Sequence, residues 1–448
     1  MTDHVQDNHD RLARLIQQCL QQGADGADAR LGVSEGVSVD IREGKLEGVE
    51  RSENAGVSLR CFVGQRQAHV SGSDLSADGL STLAERCVAM AKAVPEDRYC
   101  GLTAPEDLSD EDRDLDLAGD GEIAADALEA AALEGEAAAL AVEGIQQVSD
   151  CSAGWSRSQS WLAASNGFAR HMAGSGSSIG VVCIAERDGK MERSYEARQS
   201  RYLADRPSAA EIGKTAGEKT LARLGARKLE SQTAAVIYDR EVAGSLVGAL
   251  LGAISGPQVA RGISFLKDKR GEPVFSSAVT VVDDPFRLRG LASKLFDGEG
   301  RTVGPTRIID EGVLTNWLLN GPSARQLGMT PNGFASYGFG DPPGVTTSNL
   351  HMEAGPESPE ALMRRVGRGL LVTTMFGPSI NPNNGDYSVG VGGHWFEDGA
   401  LAYPVHEVTI AGNLVEMFAR LVPASDLEFR SARNVPSILI EDMSIAGT

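Results

Sequence analysis

Ser379–Leu414 reads SINPNNGDYSVGVGGHWFEDGALAYPVHEVTIAGNL, and the order of turn residues and apolar runs in it decides the character of the C-terminal half. An Asn/Gly-rich loop leads into a strand through Trp395, and Glu397-Asp398-Gly399 has the composition of a tight hairpin turn. Leu401 to Ile410 returns as a second strand, and Asn413 is placed to cap a following helix.

Upstream of this hairpin lie the short apolar strand Ala234–Tyr238, a helix over Glu241–Ile254, and a remainder rich in short strands and Gly/Pro turns, a mainly β pattern. Ser208 followed by Glu211 forms the reciprocal pattern of a capping box, opening a helix expected to run to near Lys228. Leu229–Thr233 is therefore the expected domain boundary. A chain of 448 residues is too long for one ordinary core, so two domains are expected, 1–229 and 230–448.

The first domain opens with a helix whose apolar face is Leu12, Leu15, Ile16, Cys19 and Leu20. Val37, Val39 and Ile41 then alternate with Ser38, Asp40 and Arg42 before a Glu43-Gly44-Lys45 turn, and Val57, Leu59 and Cys61 repeat the period of two. A helix with the face Leu80, Leu83, Ala84, Cys87, Val88 and Ala91 follows. An acidic stretch from Pro95 to Gly121 separates it from an Ala-rich helix near Ile123–Val142. Strands from Ile145 to Tyr202 turn at Ser165-Asn166-Gly167 and Asp188-Gly189-Lys190. The expected fold class is α+β: an antiparallel sheet packed by helices, then a mainly β domain.

The net charge of −20, with no basic run, argues against nucleic acid as a partner, because phosphate binding needs clustered Lys and Arg. The N-terminal residues lack the basic and apolar regions of a secretory signal. The apolar run Val242–Ile254 is shorter than the roughly 20 residues that span a bilayer, so a cytoplasmic protein without membrane contact is expected. All six cysteines lie at or before Cys183 without a C-x-x-C pair; Cys19 and Cys87, on apolar helix faces, read as core thiols.

The blocks GDYS, WFEDG, YPV and EVTIAGNL resemble the C-terminal region of the PmbA/TldE proteins, one half of the TldD/TldE metalloprotease pair. FDGEG (Phe296–Gly300), Asp310–Leu314, NGPSARQLGM (Asn320–Met329) and the N-terminal run VSVDIREGKLEGVERSENAGVSLRCFVGQRQAH extend the resemblance to most of the chain. In the catalytic TldD-type subunit, the resemblance implies, a His-Glu-x-x-x-His zinc motif occupies the helix that here is Arg240–Ser255. In such a motif two imidazoles bind one metal while the carboxylate beside them activates its water. The matching residues here are Gly248, Ala249 and Ala253, which have no donor atom, and the family's C-terminal Cys ligand has no counterpart after Cys183. No metal or other cofactor is therefore expected in this chain, and the zinc is expected in a TldD-type partner. The row Gly244, Gly248, Gly252 fits tight core packing and equally a close contact with a partner or substrate.

Other signals are weaker. His394 and His406, with Glu407 adjacent, are the best remaining imidazole pair, but successive strand residues point to opposite faces. Gly213-Lys214-Thr215 lacks the upstream glycine of a P-loop, and Ser264-x-x-Lys267 has no accompanying acyl-transfer elements. Asn320, Ser323 and Arg325, with Ser348, Asn349 and His351, read either as turn residues or as substrate contacts that hold an extended peptide by strand addition. Asp297 and Glu299 read as two carboxylates in a flexible loop. The expected function is the zinc-free subunit of a peptidase acting on unfolded, short or precursor peptides, paired with a TldD-type subunit or self-associated when that partner is absent. The alternatives are a self-sufficient hydrolase and a peptide- or protein-binding regulator of the gyrase-modulator type.

Overall fold

The computed structural model describes residues 2–338 and 343–447. Its N-terminal half is built on β1 (Gly26–Arg42), β2 (Lys45–Val63), β3 (Arg66–Gly72), β4 (Gln147–Ala164), β5 (Ala169–Arg187) and β6 (Lys190–Ser200), an antiparallel sheet in the order β3-β2-β1-β4-β5-β6. Glu43-Gly44 and Asp188-Gly189 turn with φ of +53/+69 and +55/+75, the paired left-handed conformations that a two-residue hairpin needs to match strand twist.

The helices α1 (Thr2–Gln21), α2 (Ala77–Ala93), α3 (Ala125–Leu140) and α4 (Ala209–Leu221) cover one face of this sheet. The odd-numbered residues of β1 face them throughout. Ala27, Ala29 and Leu31 join a core with Leu12, Cys19, Cys61 and Cys87, and Val37, Val39 and Ile41 join a second core with Leu128, Ala132, Ile212 and Ala216. Ser208 caps α4 as expected, its hydroxyl accepting from the Glu211 N–H at 3.2 Å while the Glu211 carboxylate accepts from the Ser208 N–H at 2.9 Å. The helix ends at Leu221, not near Lys228. Gly225 turns the chain with φ +79, and the Arg227 N–H then bonds the Pro404 carbonyl at 3.0 Å, tying this segment to the C-terminal half.

The middle of the even-numbered face of β1 carries almost no bulk. Gly32, Ser34 and Gly36 lie opposite Gly56, Asn54 and Ser52 on β2, and opposite Ser160, Ser158 and Ser156 on β4. Directly opposed residues in antiparallel strands share a face, so this register lays a band of small residues across the sheet. At one end of the band the C-terminal half docks, where Leu162 and Phe168 meet Tyr337 and Phe296.

The C-terminal half starts with β7 (Gln232–Tyr238) and α5 (Arg240–Ala253). The strand β7 pairs in parallel with Gly369–Ile380, which pairs onward through Asp386–Glu397 and Ala400–Asn413 to Ile438–Ala446, and that strand returns to β7. The ring is a closed barrel, which removes exposed edges. Its hairpin is the one the sequence announces: Asp398-Gly399 turns with φ +50/+75, and the Asn413 side chain accepts from the Val415 N–H at 3.0 Å to cap Leu414–Arg420. A smaller sheet, containing Val281–Asp284, Thr306–Asp310 and Asn349–Met352, lies alongside.

Candidate functional site

The helix α5 begins at Asp239, whose side chain accepts from the Glu241 N–H at 2.9 Å. Ala243, Leu246, Val247, Leu250 and Ala253 pack into the barrel-side core. The opposite stripe is not core. Gly252 has nothing within 4 Å of the place a Cβ would occupy, and at Gly248 that place lies 3.0 Å from Nη1 of Arg433. The stripe forms one wall of a groove of about 380 Å³, with Phe265, Met375, Ile380 and Tyr387 opposite.

A zinc ion does not fit this position. Gly248, Ala249 and Ala253 present no ligand atom, and the guanidinium lying against Gly248 would repel a dication. Among the described residues no group of three or more His, Cys, Asp or Glu side chains could hold a metal. His394 lies opposite Pro404, with a ring nitrogen 2.8 Å from the Ala222 carbonyl, and Glu407 pairs with Lys228 at 3.0 Å.

Of the polar blocks singled out in the sequence, Asn320–Arg325 reaches the N-terminal half through Arg325, while Ser348–His351 bonds within the C-terminal half. Asn320 caps the short helix Gly321–Leu327: its side-chain oxygen accepts from the Ser323 N–H at 3.0 Å, and its amide donates to the carbonyls of Pro343 and Gly344 at 3.2 Å. Arg325 donates to the Tyr99 carbonyl at 2.6 Å and the Gly101 carbonyl at 3.2 Å. Ser348 bonds the Asp283 carboxylate through both N–H and hydroxyl at 2.7 Å, and Asn349 donates to the Asp284 carbonyl at 2.9 Å and the Ser293 hydroxyl at 2.8 Å. Asn320, Ser323, Ser348 and Asn349 are buried, so engaging a peptide would first break these bonds. Strand addition at Asn349–Met352 meets a second obstacle, since that strand already pairs with Val281–Asp284 on one side and Arg433–Asn434 on the other. His351 rests against Phe429 with ring centroids 5.2 Å apart, and burial lowers its pKa.

The expected flexible loop at Phe296–Gly300 is instead a buried clasp. Asp297 is 2% exposed and accepts backbone N–H bonds from Glu299, Arg301 and Ala335 at 2.8 to 3.1 Å; burial, helped by Glu299, pushes its pKa up to about 6. Glu299 accepts from the Gly321 N–H at 2.8 Å and lies 3.8 Å from Arg60, which is itself paired with Asp28 across β1 and β2. Apolar neighbours on each side close the clasp, and the sequence block reads as a loop because those neighbours come from another domain.

Beside the clasp the two halves enclose a cavity of about 740 Å³, floored by the small residues Ser158, Ser160 and Gly174 and walled by Phe296, Tyr337 and Lys294. Arg30 and Arg201 also line it. Sequence reasoning passed over Arg30, Arg201, Lys294 and Arg433. None belongs to a motif, and the one sequence signal was a lone cation inside the apolar run Leu291-Ala292-Ser293-Lys294-Leu295-Phe296.

Residues 27–91 match the PmbA/TldA metallopeptidase domain 1, residues 109–224 the central domain, and residues 231–447 the C-terminal domain. The chain is 34% identical to the Metalloprotease PmbA of Escherichia coli O157:H7, over 95% of this chain and 93% of that one. It is 32% identical to the Metalloprotease PmbA homolog of Haemophilus influenzae, over 94% and 93%. In three dimensions it is similar to a putative modulator of DNA gyrase from Bacteroides thetaiotaomicron, with TM-score 0.91, 24% identity and coverage of 99% of both chains. TldE from Thermococcus kodakarensis superposes with TM-score 0.86 at 20% identity, over 98% of this chain and 100% of that one. Among the described residues no helix is long and apolar enough to cross a membrane. By sequence along nearly its whole length, this chain belongs to the PmbA/TldD family of metallopeptidases.

Proposed function

We propose that this chain is the zinc-free, TldE-type subunit of a cytoplasmic two-subunit metalloprotease, in which a TldD-type partner holds the zinc and this chain shapes the chamber that receives unfolded, short or precursor peptides. One observation carries the reading: the α5 positions that would bear a metal motif are Gly248, Ala249 and Ala253, none with a ligand atom, and the Arg433 guanidinium lies against Gly248. The small-residue face of the N-terminal sheet supports the chamber role, since Gly and Ser leave room beside a sheet for another chain. When bound in the partner, zinc would supply activated water. Here the chain's own part is to hold peptide and exclude solvent.

The test purifies the chain alone and mixed with a TldD-type subunit, measuring bound zinc by elemental analysis and hydrolysis of casein. The single chain is expected to hold no stoichiometric zinc and to cleave nothing, and the mixture to cleave. One zinc per chain surviving mild chelation would overturn the reading in favour of a self-sufficient hydrolase. Failure of every mixture to cleave, together with binding to gyrase, would favour a regulator.

A further inference from the structure

The glycine stripe of α5 joins two hollows of the surface that differ in chemistry. Gly248 and Gly252 floor the 380 Å³ groove, where Ile263 and Ile380 are exposed apolar side chains. Gly244 lines a second hollow of about 330 Å³, whose walls carry five cations against three carboxylates. The carboxylates are taken up by four of the cations: Glu196 pairs with Arg198, Lys219 and Arg430, Glu241 with Lys219 and Arg430, and Glu428 with Arg198, Arg240 and Arg430. Arg433 is the fifth cation, and its guanidinium has no hydrogen-bond or ion-pair partner among the described residues. Partial desolvation lowers its pKa, with no carboxylate to offset the shift. The residue is exposed, and its side chain lies along the stripe, with Cδ 3.9 Å from the place of a Cβ on Gly244 and Nη1 3.0 Å from that on Gly248. An accessible guanidinium therefore stands where the cationic hollow meets the apolar groove.

We propose that this junction binds the C-terminus of a peptide whose last side chain is apolar, with the Arg433 guanidinium donating to the terminal carboxylate and the side chain resting in the groove over Gly252. Charge selects the carboxylate. The three carboxylates of the hollow are engaged by other cations, so an incoming one meets the planar fork of Arg433 without a rival, the geometry in which guanidinium and carboxylate pair most strongly. The groove selects the side chain, because Ile263 and Ile380, with Phe265 and Met375, offer apolar contact to whatever enters. Gly248 and Gly252 stand about 6 Å apart along the helix axis, so a single residue can reach both. Nothing lies within 4 Å of a Cβ placed on Gly252, which leaves that part of the floor open. A volume of 380 Å³ is near the lower end of the roughly 300 to 1,000 Å³ of ligand pockets and suits a terminal residue better than a long segment. The choice of a peptide as the ligand rests on the peptide-handling role proposed above.

The experiment is a calorimetric titration of the single chain with acetyl-Ala-Ala-Leu as the free acid and as its amide, and with acetyl-Ala-Ala-Ser as the free acid. The Leu acid is expected to bind at least about tenfold more tightly than the Leu amide, which lacks the charge pair, and at least about tenfold more tightly than the Ser acid, which lacks the apolar burial. Arg433→Gln should bring the Leu acid to the level of its amide, while Arg433→Lys retains part of the preference. Arg433 is exposed, so neither substitution should move the melting temperature. Gly252→Leu fills the groove and leaves Arg433 in place; it should remove the preference for Leu over Ser and keep the preference for acid over amide. Equal binding of the Leu acid and its amide, no binding of any of the three peptides, an acid preference that survives Arg433→Gln, or acetate binding as tightly as the Leu acid would each overturn the proposal. The titration uses no partner subunit, so its failure is distinct from a failure of mixed subunits to cleave.

Discussion

Two helices of this protein carry glycines four residues apart, and the two rows have opposite meanings. On α4, a Cβ on Gly213 would lie 2.0 Å from the Gly135 carbonyl oxygen of α3, and one on Gly217 would lie 2.9 Å from a Val142 methyl. On α5, the same spacing at Gly244, Gly248 and Gly252 meets only the flexible end of Arg433, and at Gly252 nothing at all. The first row lets two backbones touch inside a domain. The second leaves a groove with a bare floor, the kind of surface a second chain can enter. A glycine row thus records that side chains are excluded, and only the neighbouring element says whether the excluding body is part of the same chain.

That contrast can be broken at its strong end. Gly213→Val should cost about 4 kcal/mol or leave the N-terminal half unfolded, because the clash is with backbone and exceeds the usual 1 to 3 kcal/mol of overpacking. Chemical denaturation followed by circular dichroism reads it, and a loss below about 1 kcal/mol would show that the helices can separate cheaply. Gly217→Ala sharpens the same side, with an expected loss of about 1 kcal/mol, since the nearest atom is a side-chain methyl that can shift and the helix gains propensity.

Gly248→Leu probes the other row. Its stability should stay within about 1 kcal/mol of the parent, because Arg433 can swing aside, while association with a TldD-type subunit, read by titration, should weaken. A large drop in melting temperature would mean that the stripe is packed after all. The smallest effect is of opposite sign: Gly252→Ala should stabilise by about 0.5 to 1 kcal/mol, because the helix loses a flexible residue and the new methyl meets open space. A destabilisation measured in the same melts would place an unseen neighbour at that position.

The same logic explains how much of the molecule was readable in advance. The strands of the first sheet, the Asp398-Gly399 hairpin and the caps at Ser208 and Asn413 were legible because each depends on residues within a few positions of one another. The end of α4 was not, since a long-range bond between Arg227 and Pro404 takes the chain out of the helix. Polar residues misled most. Asn320, Ser323, Ser348 and Asn349 read in the sequence either as turn residues or as substrate contacts, and each is buried with its bonds made, because elements distant in sequence bring the matching acceptors. Asp297 and Glu299 were misread for the same reason, as the β1–β2 pair Asp28 and Arg60 closes over their loop from the other half.

By itself the sequence determined the α+β class, the family, and the lack of ligand atoms at Gly248, Ala249 and Ala253, because element periods, motif blocks and side-chain chemistry are written residue by residue. Tertiary structure alone decided that Lys294 and Arg201 line one cavity, that Arg433 lies against the glycine stripe, and that the barrel closes through Ile438–Ala446. Burial and hydrogen-bond pairing are properties of neighbourhoods, and the neighbours here stand more than two hundred residues apart in the chain.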